Sequence, residues 1–151
     1  MSQSVKIATI LPYKENYTFQ KAQAAAIWVC DFFKYSKFKN TNYIFGNTKG
    51  NDYLTKNYIN ISINNLKSKF SSSTNEYCKN FIKKTKNNNF DIIEIHNRPL
   101  VFNYLKKEID SKYILYFHND PLSMNGSKSI SERLKLLDEL DKIIFVSKWV
   151  Q

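Results

Sequence analysis

Apolar positions in this chain fall alternately into short runs and helical stripes. Residues 5–11 read VKIATIL, a mostly apolar run closed by Pro12, and predict a buried strand. Ala22, Ala25, Ala26, Val29, Phe32 and Phe33 then recur at helical spacing, with Thr18 as the expected N-cap. Ile27, Trp28 and Cys30 make that helix apolar on more than one side, so it is expected to pack between other elements. Residues 43–45 predict a second strand. Residues 58–63 predict a third, half-exposed one, because Ile59, Ile61 and Ile63 alternate with Asn60 and Ser62. The serine-rich residues 67–74 read as a loop. After it, Tyr77, Cys78, Phe81 and Ile82 line one face of a helix whose other face is lysine-rich, and a Lys-Asn turn over 86–89 closes it.

The second half is more regular. Strands are predicted over 91–95, 113–117 and 142–146, with helices over 99–109 and 130–140 between them. Val101, Phe102, Leu105 and Ile109 form the inner stripe of the first of these helices, and Ile130, Leu134, Leu137 and Leu140 that of the second. Strands alternating with helices of about ten residues are the pattern of βαβ crossovers and of a parallel sheet covered on both faces. The expected fold class is α/β, with a Rossmann-like parallel sheet flanked by helices. The 151 residues show no internal repeat and no linker, so one domain is expected. The closing SKWVQ reads as a loop and the first turn of another element, so further sequence is expected beyond it.

Composition narrows the partners. Hydrophobic residues at 42%, with 3 Gly and 3 Pro, belong to a packed chain rather than a disordered one. A formal charge of +10 predicts attraction to anions. Arg98 and Arg133 are the only arginines, however, and reading of bases relies on the bidentate guanidinium fork, so no nucleic-acid partner is expected. Cys30 and Cys78 lie far apart without metal or disulfide spacing, which fits a reducing compartment. No apolar run has the length of a signal-peptide core or a membrane span, and a cytoplasmic location is expected.

In an open parallel sheet, ligands bind beyond the carboxyl ends of the strands. Three polar clusters fall at such ends. Pro12, Tyr13, Lys14, Glu15 and Asn16 follow the first strand and lead to Gln20 and Gln23. His96, Asn97, Arg98 and Pro99 follow the fourth, and His118, Asn119, Asp120 and Pro121 follow the fifth. The two histidines, the chain's only ones, thus hold equivalent positions. HNRP reads either as a plain helix start with a surface Arg or as an anion site at the first turn of a helix opened by Pro99. HNDP reads either as a proton-transfer site, with Asp120 orienting His118 or binding sugar hydroxyls, or as an Asx turn with Asp120 held extended by Pro121. The residues alone leave both pairs open. No glycine-rich phosphate loop or serine nucleophile elbow is present, and His96, His118 and Asp120 lack short metal-ligand spacing, so no metal is expected.

The segments DIIEIHNRP (91–99), YILYFHNDP (113–121) and LLDELDKIIFVSKWV (136–150), in this order and spacing, together with the opening KIATILP, resemble the N-terminal domain of family 4 glycosyltransferases of the GT-B fold. The likeness is to bacterial polysaccharide and lipopolysaccharide enzymes in particular. It spans nearly the whole chain and is weakest over 47–89. It implies the first of two Rossmann-like domains, with the active site in the cleft between them. The activity implied is transfer of a sugar from a nucleotide-sugar donor to a glycan or lipid-linked acceptor, with retention and without a cofactor. The donor is held mostly by the second domain, so this chain alone is expected to be inactive.

Carried over by motif, His118 resembles the histidine that faces the donor sugar, hydrogen-bonding it and stabilising charge rather than serving as a simple base. Asp120 flanks it as a second catalytic candidate, and Asn119 as a binding one. His96, Asn97 and Arg98 would line the acceptor side. The loop over 13–25, with Gln20 and Gln23, corresponds to the glycine-rich loop near the donor phosphates. Here Gln23, Ala24 and Ala25 stand where paired glycines are often found, and alanine blocks the closest backbone approach. The Lys-rich face over 79–86 reads as a solvated surface or as a peripheral contact with an anionic membrane. The rival reading is a non-catalytic basic module that binds nucleic acid or a small anion.

Overall fold

A computed structural model describes residues 4–63 and 72–150. Six strands, β1 (Ile7–Ile10), β2 (Asn42–Gly46), β3 (Tyr58–Asn60), β4 (Ile92–His96), β5 (Lys112–Phe117) and β6 (Lys142–Phe145), form one sheet in the order β3-β2-β1-β4-β5-β6. Every pairing is parallel. The fold is the Rossmann-like α/β arrangement that the strand–helix alternation predicts. β1 lies between β2 and β4, so the chain runs outward from it in both directions and the loops after β1 and β4 diverge. The gap between them is the crevice where such sheets bind ligands.

The same connectivity decides where the helices lie. The step from β1 to β2 and the step from β4 to β5 run in opposite directions across the sheet, so right-handed crossovers place their helices on opposite faces. On one face α1 (Ala24–Tyr35) packs Ala26, Val29 and Cys30 against Leu11, Ile44 and Tyr58. On the other, α2 (Ser73–Thr85) contributes Tyr77, Cys78 and Phe81, and α3 (Pro99–Leu105) contributes Val101, Phe102 and Leu105. Both cover Ala8, Ile10, Phe45, Ile93, Ile95 and Leu115. Each of these large side chains contributes roughly 1.5–3 kcal/mol on burial. Among the described residues, α1 is the one helix on its face, and Ile27 and Phe32 remain 50% exposed. The expectation of a helix packed on several sides therefore fails.

Other differences have local causes. Thr18 does not cap α1: its carbonyl closes a turn by accepting from Lys21 and Ala22, and Gln23 is the N-cap without a side-chain bond. Glu15 reaches across the loop instead, its Oε2 accepting from the Ala26 N–H at 3.0 Å. β3 stops at Asn60, whose amide side chain bonds both the N–H and the C=O of Thr48 in place of a further strand pair. The helix expected to reach 109 ends at Leu105 and continues as turns to Ile109. Residues 67–71 of the serine-rich loop lie outside the described residues. Ser72 caps α2 through its hydroxyl, so residues 73 and 74 are helical.

The clearest correction concerns α4 (Ile130–Glu139). Its start is fixed by a capping box of Ser129 and Glu132. The stripe expected inside is mostly outside: Ile130, Leu134 and Leu137 are 60–70% exposed, Leu140 is partly buried, and Leu136 is the buried position. α4 lies by the edge strand β6, whose residues are themselves half-buried or exposed, so the sheet offers it little apolar surface to cover. No helix among the described residues is long and apolar enough to cross a membrane.

Candidate active site at the carboxyl edge of the sheet

His96 ends β4 and lies opposite Tyr116 of β5, and His118 follows β5 two residues beyond Tyr116. Residues 116 and 118 share a face of the strand, so this register brings both imidazoles to one side of the sheet. His96 Nδ1 and His118 Nε2 are 2.8 Å apart. The His96 ring stacks on Tyr116 at 4.6 Å and 6°. Trp28, from α1, closes over the group at 5.3–5.7 Å from His96, Tyr116 and His118. His96 is 1% exposed. Burial, reinforced by the neighbouring His118, holds its pKa well below the ordinary imidazole value, and burial brings that of His118 down to about 4. Both rings are neutral at pH 7.

Asn97 ties the two strand ends together. It has φ 53°, in the left-handed region that Asn enters more readily than most residues. Its N–H donates to the Tyr116 carbonyl at 2.9 Å, and its Oδ1 accepts from the His118 N–H at 2.8 Å. Arg98 Nη1 donates to the Asn97 carbonyl at 2.8 Å, and its guanidinium lies over the Tyr13 ring at 5.5 Å.

Beyond these residues, at the ends of β1, β4 and β5, is a cavity of about 430 Å³. Tyr13, Lys14, Asn97, Arg98, Asn119 and Lys128 are among its walls, which carry three cations and no carboxylate. Such a lining suits an anionic, hydroxyl-rich ligand. The first turn of α3, the anion site considered from HNRP, is covered. Gly126, at φ 92°, brings the loop after β5 so close that a Cβ there would meet the Leu100 nitrogen at 3.2 Å.

The structure therefore pairs His96 with His118 and links the pair through Asn97 to Arg98; Asn97, Arg98 and Asn119 line the polar cavity, the two histidines lie beside it, and the other candidates lie apart. Asp120 Oδ1 accepts from the Leu122 N–H at 2.9 Å, capping a short 3₁₀ turn, Pro121–Ser123. Asp120 also borders a separate, mostly apolar cavity of about 470 Å³ with Leu136, Phe145 and Trp149. Gln20 and Gln23 are exposed in the loop before α1 and do not line the polar cavity. No group of three or more His, Cys, Asp or Glu among the described residues is placed to hold a metal ion.

Sequence reasoning missed three contributors. Trp28 read as core, and Glu94 and Tyr116 read as ordinary strand residues. On the face of the sheet that carries the histidines, Thr9 Oγ1 lies 2.7 Å from Glu94 Oε2 and 3.0 Å from Asn42 Oδ1, and the Tyr116 hydroxyl donates to Glu94 Oε1 at 3.3 Å. One Thr hydroxyl cannot donate to both neighbours. Both contacts are satisfied when Thr9 donates to one neighbour and accepts from the other, from the Asn42 amide N–H2 or from a proton on Glu94; burial raises the Glu94 pKa, against the bonds from Thr9 and Tyr116. The signal available was a carboxylate inside the apolar run DIIEIH, where a charge is costly.

No model of a known protein family matches the chain, and no curated protein does.

Proposed function

We propose that the chain is the N-terminal, acceptor-side domain of a GT-B glycosyltransferase that passes a sugar from a nucleotide-sugar donor to a glycan or lipid-linked acceptor. The observation that carries this reading is the pairing of His96 and His118 at 2.8 Å at the carboxyl edge of the sheet, beside a cationic, carboxylate-free cavity reached by Asn97, which accepts from the His118 N–H, and by Asn119. The order and spacing of the three motifs support it. In this reading His118 hydrogen-bonds the transferred sugar, and a second domain supplies the nucleotide site. Lys14, Arg98 and Lys128 hold the phosphate of the acceptor. Exposed Lys79, Lys83, Lys84 and Lys86 on α2 and after it face the anionic inner surface of the membrane, at a cytoplasmic site.

The test is titration of the chain with a short-chain prenyl diphosphate sugar, and with the same sugar lacking phosphate. The phosphorylated ligand should bind at least tenfold more tightly, and Arg98→Ala should abolish most of that preference, since a charge-assisted contact is worth about 1.5–3 kcal/mol. Equal binding of both ligands contradicts the reading. The rival small-anion module draws on the same cavity. It would bind inorganic phosphate as tightly as the diphosphate sugar, which the glycosyltransferase reading excludes.

A further inference from the structure

We infer that His96 is a positioning residue that fixes the tautomer of His118, donating from its Nδ1–H to His118 Nε2 so that His118 presents Nδ1–H as a hydrogen-bond donor outside the pair. The 2.8 Å separation places one proton between the two ring nitrogens, and two arrangements satisfy it. If His118 donated, a neutral His96 would carry its other proton on Nε2, which is buried and has no partner among the described residues. That would orphan a buried N–H, the rarer kind of unsatisfied group. If His96 donates, the same site holds only an unused lone pair.

Tyr116 stacked on His96 and Trp28 over both rings keep the pair from turning to water for the missing bond. With Nε2 committed as acceptor, the neutral His118 carries its proton on Nδ1. That atom makes no hydrogen bond among the described residues and is not enclosed. Asn97, which accepts from the His118 N–H, and Asn119, the next residue in the chain, both line the polar cavity beside it. His118 is thereby set to donate to a hydroxyl or phosphate oxygen and is unable to take a proton there. Its use on a sugar rests on the glycosyltransferase reading, but the tautomer does not.

The chain's only two histidines make the test direct. Long-range ¹H–¹⁵N spectra of the ¹⁵N-labelled chain at pH 7.5 should show His118 with a pyrrole-type Nδ1 and a pyridine-type Nε2, and His96 likewise protonated on Nδ1. A His118 protonated on Nε2, or a fast mixture of both forms, overturns the inference. His96→Phe keeps a ring between Tyr116 and Trp28 but removes the donor, and His118 should then move towards the Nε2–H form that free imidazole favours. A His118 tautomer unchanged by that substitution also overturns it. If the variant does not fold, the wild-type spectrum decides alone. Full turnover in a His118→Ala enzyme would defeat the sugar role while leaving these spectra as they are, so the two failures are distinguishable.

Discussion

Asn97 joins backbone geometry, strand pairing and the site in one residue. Replacing it by alanine removes the acceptor for the His118 N–H and leaves a Cβ-bearing residue without a compensating bond at φ 53°. Asn97→Ala should destabilise the chain by about 1–3 kcal/mol, and Asn97→Gly by less, because glycine accepts that φ freely. Urea denaturation of the two variants measures the difference, and equal losses would show that the left-handed backbone carries no cost.

The titratable residues of the site give opposing pH dependences. The folded pKa of His118, about 4, lies below the unfolded value near 6.5. Its contribution to stability is therefore complete above about pH 6.5 and is lost as pH falls towards 4, at no more than about 1.4 kcal/mol per unit. His96, depressed by burial, acts in the same sense. Glu94 acts oppositely: its folded pKa is raised, so its contribution is complete below the usual carboxylate value and is lost as pH rises through the folded one. In Glu94→Gln that second loss should disappear, leaving the rise with pH that the two histidines contribute. Denaturation midpoints across pH 4–8 test both signs. A His118 Cε1–H shift with its midpoint near 6.5 would contradict the neutral pair.

Element identity was legible because strand runs and helical stripes differ in period, and every strand and helix expected from the pattern is present within a few residues. Orientation was less legible. Periodicity defines a stripe but not the element that faces it, and in α4 the stripe of Ile130, Leu134 and Leu137 points outward while Leu136 packs inward. Leu136→Ala should therefore cost about 2–5 kcal/mol. Leu134→Lys and Leu137→Lys should each stay within about 0.5 kcal/mol of the wild type. Thermal unfolding of the three variants checks this, and large losses at 134 or 137 would restore the stripe that the sequence suggests. The extent of α1 resisted reading for a similar reason. Its start is set by Glu15, eleven residues before the N–H it binds, rather than by a local cap.

For the whole molecule, the alternation of elements led to the parallel sheet, and the rule that ligands gather at strand ends led to His96, Asn97, Arg98, His118 and Asn119. The contact between the histidines required the β4–β5 register, which sets His96 opposite Tyr116 and which no local pattern reveals. Trp28 belongs to a helix 68 positions earlier in the chain, and only the crossover geometry brings it over the pair. Asp120 lies apart from this group, with one carboxylate oxygen accepting from the Leu122 N–H in the turn it begins.

On the proposed glycosyltransferase reading, His118 hydrogen-bonds the transferred sugar. The direct measurement is turnover of the complete enzyme with a labelled nucleotide sugar and a lipid-linked acceptor, wild type against His118→Ala. His118→Ala should lower kcat by about 10²–10⁴-fold with the fold intact by circular dichroism. Turnover within threefold of wild type would contradict it.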